Sequence, residues 1–301
     1  MMVGFIIHSL KNKLLGGIMV NNMLVLQTDF GLQDGAVAAM YGVSLGVSPD
    51  LKIFNLTHEI ETYNIWNASY RLVQTLQYWP EGTVFVSVVD PGVGSDRKSV
   101  VAKTKDGKYI VTPNNGTLTH IQLNVGISEI REIDETKNRL PYSNESYTFH
   151  GRDIYAFTGA RLASGVITYE EVGNKLDLNE INLLNTGEIK VIDEKLVQGT
   201  IDILDVRFGN LWTNIPKEEF DNLDIKYGDT LELTINHDSR KVYSSSVKYV
   251  KSFSEVNTGG TLLYVNSLHK IGVAINQGSF AKAHQVDSGH QWKVELKKIY
   301  L

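Results

Sequence analysis

A run of apolar residues that ends in an acidic turn most constrains how this chain can fold. Residues 84–89 read Val-Phe-Val-Ser-Val-Val, a composition typical of a buried strand in a parallel sheet. Asp90-Pro91-Gly92 follows directly, where proline ends the hydrogen-bonding ladder and glycine permits a sharp turn. Ligands of open α/β sheets bind at the C-terminal ends of strands. The sequence therefore predicts that Asp90 lies at a ligand-binding sheet edge.

Arg97 lies on the return of the same loop and can reach Asp90 if the loop folds back. Its guanidinium would keep the carboxylate ionised in a partly dry site. A pair that only stabilises the loop is the alternative. Residues 92–99 look like a phosphate-binding loop, but Arg97 replaces the glycine that such a loop requires directly before its lysine. We therefore predict no nucleotide-triphosphate site here.

The N-terminal part of the chain alternates strands and helices. A short apolar strand over residues 23–27 leads to Asp29, and residues 36–43 then have helical composition. Residues 64–79 have the apolar periodicity of an amphipathic helix. This alternation predicts an α/β domain over residues 23–188 with a mostly parallel central sheet. Residues 1–22 are expected to form a frayed or partly helical extension.

The pattern changes near residue 189. Short β-type runs replace the helices, and turn signals such as Tyr227-Gly228-Asp229 and Thr258-Gly259-Gly260 separate them. This spacing predicts that residues 189–301 form a small antiparallel β-barrel, with a sandwich as the alternative.

Composition excludes several classes of function. The net charge of −5 and the absence of any Lys/Arg-rich run argue against nucleic-acid binding. Residues 3–7 are apolar but too few to span a membrane, so no membrane partner is expected. Without cysteine, the chain has no disulfide, no thiolate metal site and no cysteine nucleophile. This composition is compatible with the cytoplasm.

Several strand-end motifs match one family as a set. In chain order they are Thr28-Asp29-Phe30-Gly31, Val89-Asp90-Pro91-Gly92-Val93-Gly94 with Arg97, Pro113-Asn114-Asn115-Gly116, Phe149-His150-Gly151-Arg152-Asp153 and Phe208-Gly209-Asn210-Leu211-Trp212-Thr213-Asn214-Ile215. Together they resemble the S-adenosyl-L-methionine hydroxide adenosyltransferases, the water-using relatives of fluorinase and chlorinase. The resemblance covers the chain from about Leu24 to its C-terminus.

The resemblance implies an enzyme that hydrolyses S-adenosyl-L-methionine to adenosine and L-methionine. Water attacks C5′ in line, and the implied catalytic residues are Asp90, Arg97 and His150. Which of Asp90 or His150 accepts the proton stays open. In the halide-using branch the position of Asp90 carries no carboxylate, and the position of Gly151 is serine in fluorinase. Both residues therefore place this chain with the water users.

The resemblance also implies a homotrimer that holds the substrate between neighbouring subunits, and no metal or cofactor is expected. The implied substrate-binding residues are Asp29, Tyr63, Phe149, Gly151, Asp205, Asn210, Trp212, Phe253 and Ser267. Asp29 would accept from the ribose hydroxyls, and Asn210 would bind the adenine edge. Trp212 and Phe253 would stack on the purine, although barrel core is an alternative for both.

Two other functions remain open at this stage. The chain could bind an adenosyl ligand without turnover, or it could transfer the adenosyl group to a halide. Calorimetry beside a turnover assay distinguishes the first from hydrolysis. Incubation with chloride tests the second.

Overall fold

A computed structural model describes residues 13–15, 18–145, 147–192 and 195–299 of the chain. The chain divides into two compact units, Met1–Leu184 and Asn185–Leu301. Each unit has its own sheet and its own hydrophobic core.

The N-terminal unit alternates strands and helices. Its strands are β1 (Lys13–Leu15), β2 (Ile18–Val20), β3 (Met23–Thr28), β4 (Lys52–Thr57), β5 (Val84–Val88), β6 (Ser99–Thr104), β7 (Tyr109–Pro113), β8 (Ile127–Glu132) and β9 (Lys175–Leu176). Its helices are α1 (Ala36–Val47), α2 (Ile65–Leu76), α3 (Thr119–Asn124) and α4 (Phe157–Ala163), with a π-helical segment at Gly151–Ala156 and short 3-10 turns at Glu170–Val172 and Leu178–Glu180.

The main sheet of this unit has the strand order β4-β3-β5-β7-β6-β8-β9. Neighbours from β4 through β7 run parallel, and β6, β8 and β9 extend the sheet with antiparallel pairs. The β6–β7 hairpin turns at Asp106-Gly107, as the sequence predicts. The predicted α/β class with a mostly parallel sheet is confirmed.

Both faces of this sheet are covered, which explains why its central strands are apolar throughout. Leu24 and Leu26 of β3 pack into a cluster that contains residues of α1 and α4. Val25, between them, points to the opposite face and packs with residues of α2 and α3. Alternate side chains of one strand thus pack against the helices on the two opposite faces of the sheet.

The N-terminal extension forms a small sheet of its own. Lys13–Leu15 pairs with Ile18–Val20 in antiparallel register. The expectation of a frayed or partly helical segment is therefore wrong for these residues. In the sequence only two glycines separate the two apolar runs, a composition that favours a tight hairpin. Residues 1–12 and 16–17 lie outside the described residues.

The C-terminal unit is a closed barrel. Its strands are β10 (Lys190–Ile192), β11 (Leu196–Leu204), β12 (Leu211–Pro216), β13 (Thr230–His237), β14 (Arg240–Tyr249), β15 (Thr261–Val265), β16 (Lys270–Ile275) and β17 (Gly289–Lys298). Two short helices, α5 (Lys217–Asn222) and α6 (Phe280–His284), and a 3-10 turn at Phe253–Glu255 complete it. The order β11-β12-β16-β15-β14-β13-β17 returns to β11, and β10 adds to the outside of β11.

The barrel class is confirmed, but one of its pairings is parallel. Strand β14 pairs with β15 in the same direction, at Lys248↔Leu262 and Tyr249↔Leu263. The sequence predicts antiparallel strands throughout the barrel, with Thr258-Gly259-Gly260 as one of the turn signals that separate them. In the structure residues 250–260 instead form a longer excursion that turns back before β15 begins.

Among the residues that the structure describes, no helix is long and apolar enough to cross a bilayer.

Candidate active site

Two parallel strands place acidic residues at one edge of the N-terminal sheet. Strands β3 and β5 pair in register, with Thr28 opposite Val88, so the residues that follow them emerge side by side. Asp29 and Asp90 are among these residues, and both line a cavity of about 550 Å³. The cavity is lined by Asp29, Phe30, Asp34, Ala36, Thr62, Tyr63, Val88, Asp90, Val93, Thr148, Phe149, His150 and Gly151.

Asp90, Arg97 and His150 meet at this cavity. Arg97 donates from Nε to Oδ1 of Asp90 at 2.7 Å and from Nη2 to Oδ2. The same Nη2 lies 3.4 Å from Nδ1 of His150. The side chains of Asp90 and Arg97 are 5% and 10% exposed. The structure thus brings together three groups that the sequence spreads over sixty residues, while their catalytic roles stay predictions.

The loop after β5 folds back through two successive turns. Val93 N–H donates to the carbonyl of Asp90 at 3.2 Å, and Ser95 N–H donates to that of Gly92 at 3.0 Å. Gly94 has a φ of +79°, a conformation that glycine adopts without strain. These turns return Arg97 to Asp90, as the sequence predicts.

The fork of Arg97 on Asp90 is a charge-assisted pair with both oxygens engaged. Burial lowers the pKa of Arg97, but the hydrogen bond that Arg97 donates to Asp90 and the nearby negative charges outweigh burial and raise it. Burial also lowers the pKa of His150, and Arg139 and Arg97 act in the same direction, whereas Glu135 and Asp90 oppose it. His150 is therefore held as a neutral imidazole at neutral pH.

Asp29 and Tyr63 are also brought together. The Tyr63 N–H donates to Oδ2 of Asp29 at 2.8 Å, and Tyr63 has a φ of +67°, which is unfavourable for a residue with a bulky side chain. The Asp34 side chain accepts from the N–H of Ala36, the first residue of α1, at 2.8 Å. The carboxylate that contacts the start of α1 is thus that of Asp34.

Phe149 and Gly151 flank His150 and pack on Phe30. The rings of Phe30 and Phe149 meet edge to face with centroids 5.9 Å apart. A Cβ on Gly151 would lie 3.0 Å from two ring atoms of Phe30. A side chain at position 151 would therefore crowd the Phe30 ring, and glycine avoids this contact.

Four groups around the cluster escaped the sequence reasoning. Arg97 donates from Nη1 to Oγ of Ser99 at 3.1 Å, and that hydroxyl donates to Glu135 at 3.2 Å and lies 3.1 Å from the Tyr155 hydroxyl. Arg139 lies 3.4 Å from Nε2 of His150. Glu135 and Arg139 pair at 3.0 Å in a turn and not on a helix, so the spacing rule for helices gives no signal for them in the sequence.

The barrel unit has a cavity of its own, of about 770 Å³. Among its lining residues are all five that the resemblance implies for this part of the chain, namely Asp205, Asn210, Trp212, Phe253 and Ser267. The backbone of Asp205 donates to the carbonyl of Asn210 at 2.8 Å, which closes the turn between β11 and β12. The side chains of these two residues are 3.5 Å apart. Trp212 and Phe253 both line the cavity, and Trp212 is at the same time buried, with 8% of its surface exposed.

Tyr264 was missed and lies between the two predicted aromatic residues. Its hydroxyl accepts from Trp212 Nε1 at 3.0 Å, and its ring lies 5.1 Å from that of Phe253. Burial raises the pKa of Tyr264 to about 12, so the phenol stays protonated. Strand alternation was the available signal, because Leu263 points into the core and its neighbour must face the other way.

Within the described ranges, no group of three or more His, Asp or Glu side chains is arranged to hold a metal ion.

Comparison with known proteins gives one consistent match. The family profile of the SAM hydroxide adenosyltransferase N-terminal domain matches residues 24–173, and that of the C-terminal domain matches residues 199–293. The chain is 37% identical over 238 residues to a protein of Methanocaldococcus jannaschii named (R)-S-adenosyl-L-methionine hydrolase, a match that covers 78% of this chain and 81% of that protein.

Two further comparisons extend this match. A fluorinase of Actinopolyspora mzabensis is 26% identical over 295 residues, which cover 90% of this chain and 96% of the fluorinase. A crystal structure of an uncharacterized conserved protein from Thermotoga maritima superposes with a TM-score of 0.83 at 34% identity, covering 91% of this chain and all of that one (100%).

Proposed function

Because the chain belongs to the SAM hydroxide adenosyltransferase family, we propose that it hydrolyses S-adenosyl-L-methionine to adenosine and L-methionine. Water attacks C5′ of the ribose in line with the departing sulfur. The chain is a hydrolase, in keeping with its relative from M. jannaschii, which is named (R)-S-adenosyl-L-methionine hydrolase, and we propose that adenosine is the nucleoside it forms.

The meeting of Asp90, Arg97 and His150 beside one cavity is the observation that carries this proposal. The sulfonium leaves as a neutral thioether, so the leaving group needs no acid. The difficulty lies with water, whose pKa in bulk is about 15.7. An ionised carboxylate, a guanidinium and an imidazole can hold one water, direct its lone pair and stabilise hydroxide character as its proton leaves. This chemistry needs neither a metal nor a redox cofactor, and we propose none.

The binding residues divide between the two cavities. In the N-terminal cavity Asp29 would accept from the ribose hydroxyls, since the Tyr63 N–H engages only one of its oxygens. Tyr63 and Phe149 would form apolar walls there, and Gly151 would let the backbone beside His150 approach the Phe30 ring closely. In the barrel cavity we propose the following roles: Asp205 and Ser267 hold the methionine portion, Asn210 binds the adenine edge, and Trp212 and Phe253 stack on the purine.

We further propose a homotrimer with its substrate sites at the interfaces between subunits. Neither cavity by itself contains the whole set of proposed binding residues. A cytoplasmic location is proposed as well, because the sequence contains no cysteine and the substrate is a small intracellular metabolite.

Turnover of the purified protein tests the function. Incubation with S-adenosyl-L-methionine should release adenosine and methionine in equal amounts. The variants Asp90→Ala and His150→Ala should release at least about a hundredfold less, as expected when a group that activates the nucleophile is removed. Asp50→Ala, at an exposed carboxylate, is the matched control. If calorimetry shows that the substrate binds and the assay shows no turnover, the chain is a binding protein and not a hydrolase.

A chloride arm separates hydrolysis from halide transfer. The Asp90 carboxylate lies at the proposed nucleophile position and would repel an anion. Adding chloride should therefore yield no chlorinated nucleoside. Formation of a chlorinated nucleoside would show instead that the chain transfers the adenosyl group to a halide.

The relative from M. jannaschii is named for the (R) form of the substrate. We propose the same preference for this chain. Separate assays with the two sulfonium epimers should show faster hydrolysis of the (R) form, and equal rates would contradict the preference.

A further inference from the structure

A buried histidine lies beside the loop that carries Asp29. His58 follows directly after strand β4, and 3% of its surface is exposed. Its Nδ1 lies 2.8 Å from Oγ1 of Thr28, and its Nε2 lies 2.8 Å from Oδ1 of Asn55. Both ring nitrogens therefore have a partner. His58 is not one of the residues that line the cavity of the N-terminal unit, whereas its neighbour Asp29 is.

An irregularity in the sheet brings the histidine to this place. Strands β3 and β4 pair in parallel, and their register shifts by one residue between Leu26 and Gln27. Strand β4 thus contains one extra residue near its end. Without that residue, Thr57 would lie opposite Thr28 in place of His58. Bulges are rare between parallel strands, and many lie next to active sites, where they redirect a side chain.

The histidine holds the backbone on both sides of Asp29. Its ring contacts Oγ1 of Thr28, and the same Oγ1 accepts from the N–H of Phe30 at 3.2 Å. The backbone carbonyl of His58 accepts from the N–H of Gly31 at 2.8 Å. The residues before and after Asp29 are therefore attached to His58, either directly or through one hydroxyl group.

The far side of the imidazole is anchored to helix α1. Asn55 Oδ1, which contacts Nε2 of His58, also accepts from the hydroxyl of Tyr41 in α1. The Tyr41 side chain packs against the apolar cluster that contains Leu24 and Leu26. Side chains thus connect the loop after β3 to a helix and to the core, in addition to its own strand.

These contacts determine where the Asp29 carboxylate lies. Its Oδ2 accepts from the Tyr63 N–H at 2.8 Å, which fixes the carboxylate at one point. The contacts of Thr28, Phe30 and Gly31 fix the backbone from which the carboxylate extends. Hydrogen bonds weaken steeply when donor and acceptor are misaligned, so a carboxylate that binds a ligand depends on such support.

We propose that His58 is a positioning residue that holds Asp29 where its carboxylate accepts from the ribose hydroxyls of the substrate. This inference rests on the proposed role of Asp29 in binding the ribose. A site that binds a hydroxyl group discriminates against an analogue that lacks it. Loss of His58 should therefore weaken recognition of the ribose and leave the activation of water at Asp90 unchanged.

Calorimetry with two nucleosides tests this role without turnover. Adenosine, the proposed product, has both ribose hydroxyls, and 2′,3′-dideoxyadenosine lacks them. The wild-type protein should bind adenosine at least about tenfold more tightly, as expected for hydrogen bonds to a charged group. His58→Phe removes both ring nitrogens and should lower this ratio at least about fivefold, by weakening the binding of adenosine and not that of the dideoxynucleoside.

A rescue variant and a matched control separate positioning from damage to the fold. His58→Asn keeps a polar atom near the position of Nδ1 and should retain more of the ribose preference than His58→Phe, although it fills the buried site less well. His120→Phe is the matched control, because His120 is also 3% exposed and its Nδ1 lies 2.9 Å from Oγ of Ser69. This control should keep the wild-type ratio.

A double-variant cycle assigns the effect to Asp29. Asp29→Ala alone should abolish the preference for adenosine, and adding His58→Phe should lower the ratio no further. Additive losses would show that His58 acts elsewhere and would contradict the proposal. Thr28→Val removes the hydroxyl that His58 contacts and should lower the ratio in the same way, so the test does not depend on the folding of His58→Phe.

Steady-state kinetics with S-adenosyl-L-methionine provide a second readout. His58→Phe should raise KM at least about fivefold and change kcat less than about twofold, the pattern expected when ground-state binding alone is lost. An unchanged nucleoside ratio in His58→Phe and Thr28→Val, or an equal fall in His120→Phe, would overturn the proposal.

The two assays distinguish failure of this inference from failure of the proposed function. If the wild-type protein prefers adenosine as described but releases none from S-adenosyl-L-methionine, the hydrolase is refuted and the role of His58 stands. If the wild-type protein binds both nucleosides equally, the role of Asp29 is refuted, and the role of His58 is refuted with it.

Discussion

His150 links the environment of one side chain to the pH range in which the proposed reaction runs. Burial is the largest cause that lowers its pKa. Arg139 and Arg97 lower the pKa further, whereas Glu135 and Asp90 raise it without reversing the shift. The imidazole therefore remains neutral below its ordinary pKa of 6.5 and becomes charged only as the pH falls through the lowered value.

We expect the activity to follow this titration. kcat should be constant around neutral pH and fall on the acid side at a pH below about 6.5, the ordinary pKa of histidine. Steady-state rates between about pH 5 and about pH 8 measure this limb. A limb at or above the ordinary value would mean that His150 acts in another protonation state.

The functional side chains that could be predicted from the sequence are those that belong to short motifs. Asp90 and Arg97 lie on one loop, and His150 lies in a motif that marks a helix start, so each was visible locally. Arg139 and Tyr264 were not, because their contacts with His150 and Trp212 depend on side-chain directions across separate elements. Their charge and aromatic character give no sign of a role without those contacts.

At the scale of elements, the segment before α2 carries a strained residue against the cavity. Tyr63 has a φ of +67° and its side chain is 67% exposed, so it contributes little packing. Asn64 caps the helix by accepting from Asn67 N–H at 2.9 Å. The strain is held between this cap and the hydrogen bond to Asp29.

Substitution of Tyr63 should separate strain from binding. Tyr63→Gly should raise the free energy of unfolding by about 1 kcal/mol, because glycine adopts a positive φ freely. Tyr63→Ala keeps the strain and should bring no such gain. Both variants lose the ring and should raise KM for the substrate. Denaturant unfolding and steady-state kinetics measure the two effects, and equal stability of the two variants would refute the assignment of strain.

The barrel contains a buried ion pair between two of its strands. Asp202 on β11 and Lys270 on β16 are joined by Oδ2 and Nζ at 3.2 Å, and their side chains are 6% and 17% exposed. Burial raises the pKa of Asp202, and Lys270 opposes this shift. The lysine therefore compensates a carboxylate that is costly to ionise inside the barrel.

Lys270→Met should lower the free energy of unfolding by about 3–5 kcal/mol at neutral pH, since it leaves a buried charge without this partner. A carboxyl whose pKa is raised on folding favours the folded state at acid pH and disfavours it as the pH rises through that value. The defect should therefore shrink on acidification. The double variant Asp202→Leu with Lys270→Met should recover most of the loss in urea unfolding, and a double variant as unstable as the single one would contradict this account.

The elements themselves were largely predictable, and their connections less so. Continuous apolar runs such as β5 and periodic segments such as α2 can be assigned from the sequence alone. The parallel pairing of β14 with β15 cannot be assigned in this way, because a glycine-rich turn signal fits a hairpin as well as a longer excursion. Pairing partners are chosen by contacts between distant segments, which no local pattern records.

At the scale of the whole molecule, the proposed trimer makes a quantitative prediction. Asp90→Ala disables the cavity of the N-terminal unit, and a variant with Asp205→Ala and Asn210→Ala disables that of the barrel unit. If neighbouring subunits share sites, co-expression of the two inactive chains in equal amounts should restore about one quarter of the sites, by random assortment in a symmetric ring. Turnover per subunit measures this, with each variant alone as control. No recovery in mixed trimers would contradict shared sites.

The parallel step between β14 and β15 also limits how the barrel can vary. A chain that leaves one strand and enters its neighbour in the same direction must reverse twice, so residues 250–260 cannot be trimmed to a tight turn. This detour is anchored by its own small apolar cluster of Val250, Leu262 and Ala274, against which Phe253, Val256 and Tyr264 pack. The parallel pairing therefore requires a connecting segment, and in this chain that segment carries part of the aromatic wall. Substitution of its aromatic residues should be tolerated far more readily than removal of the segment.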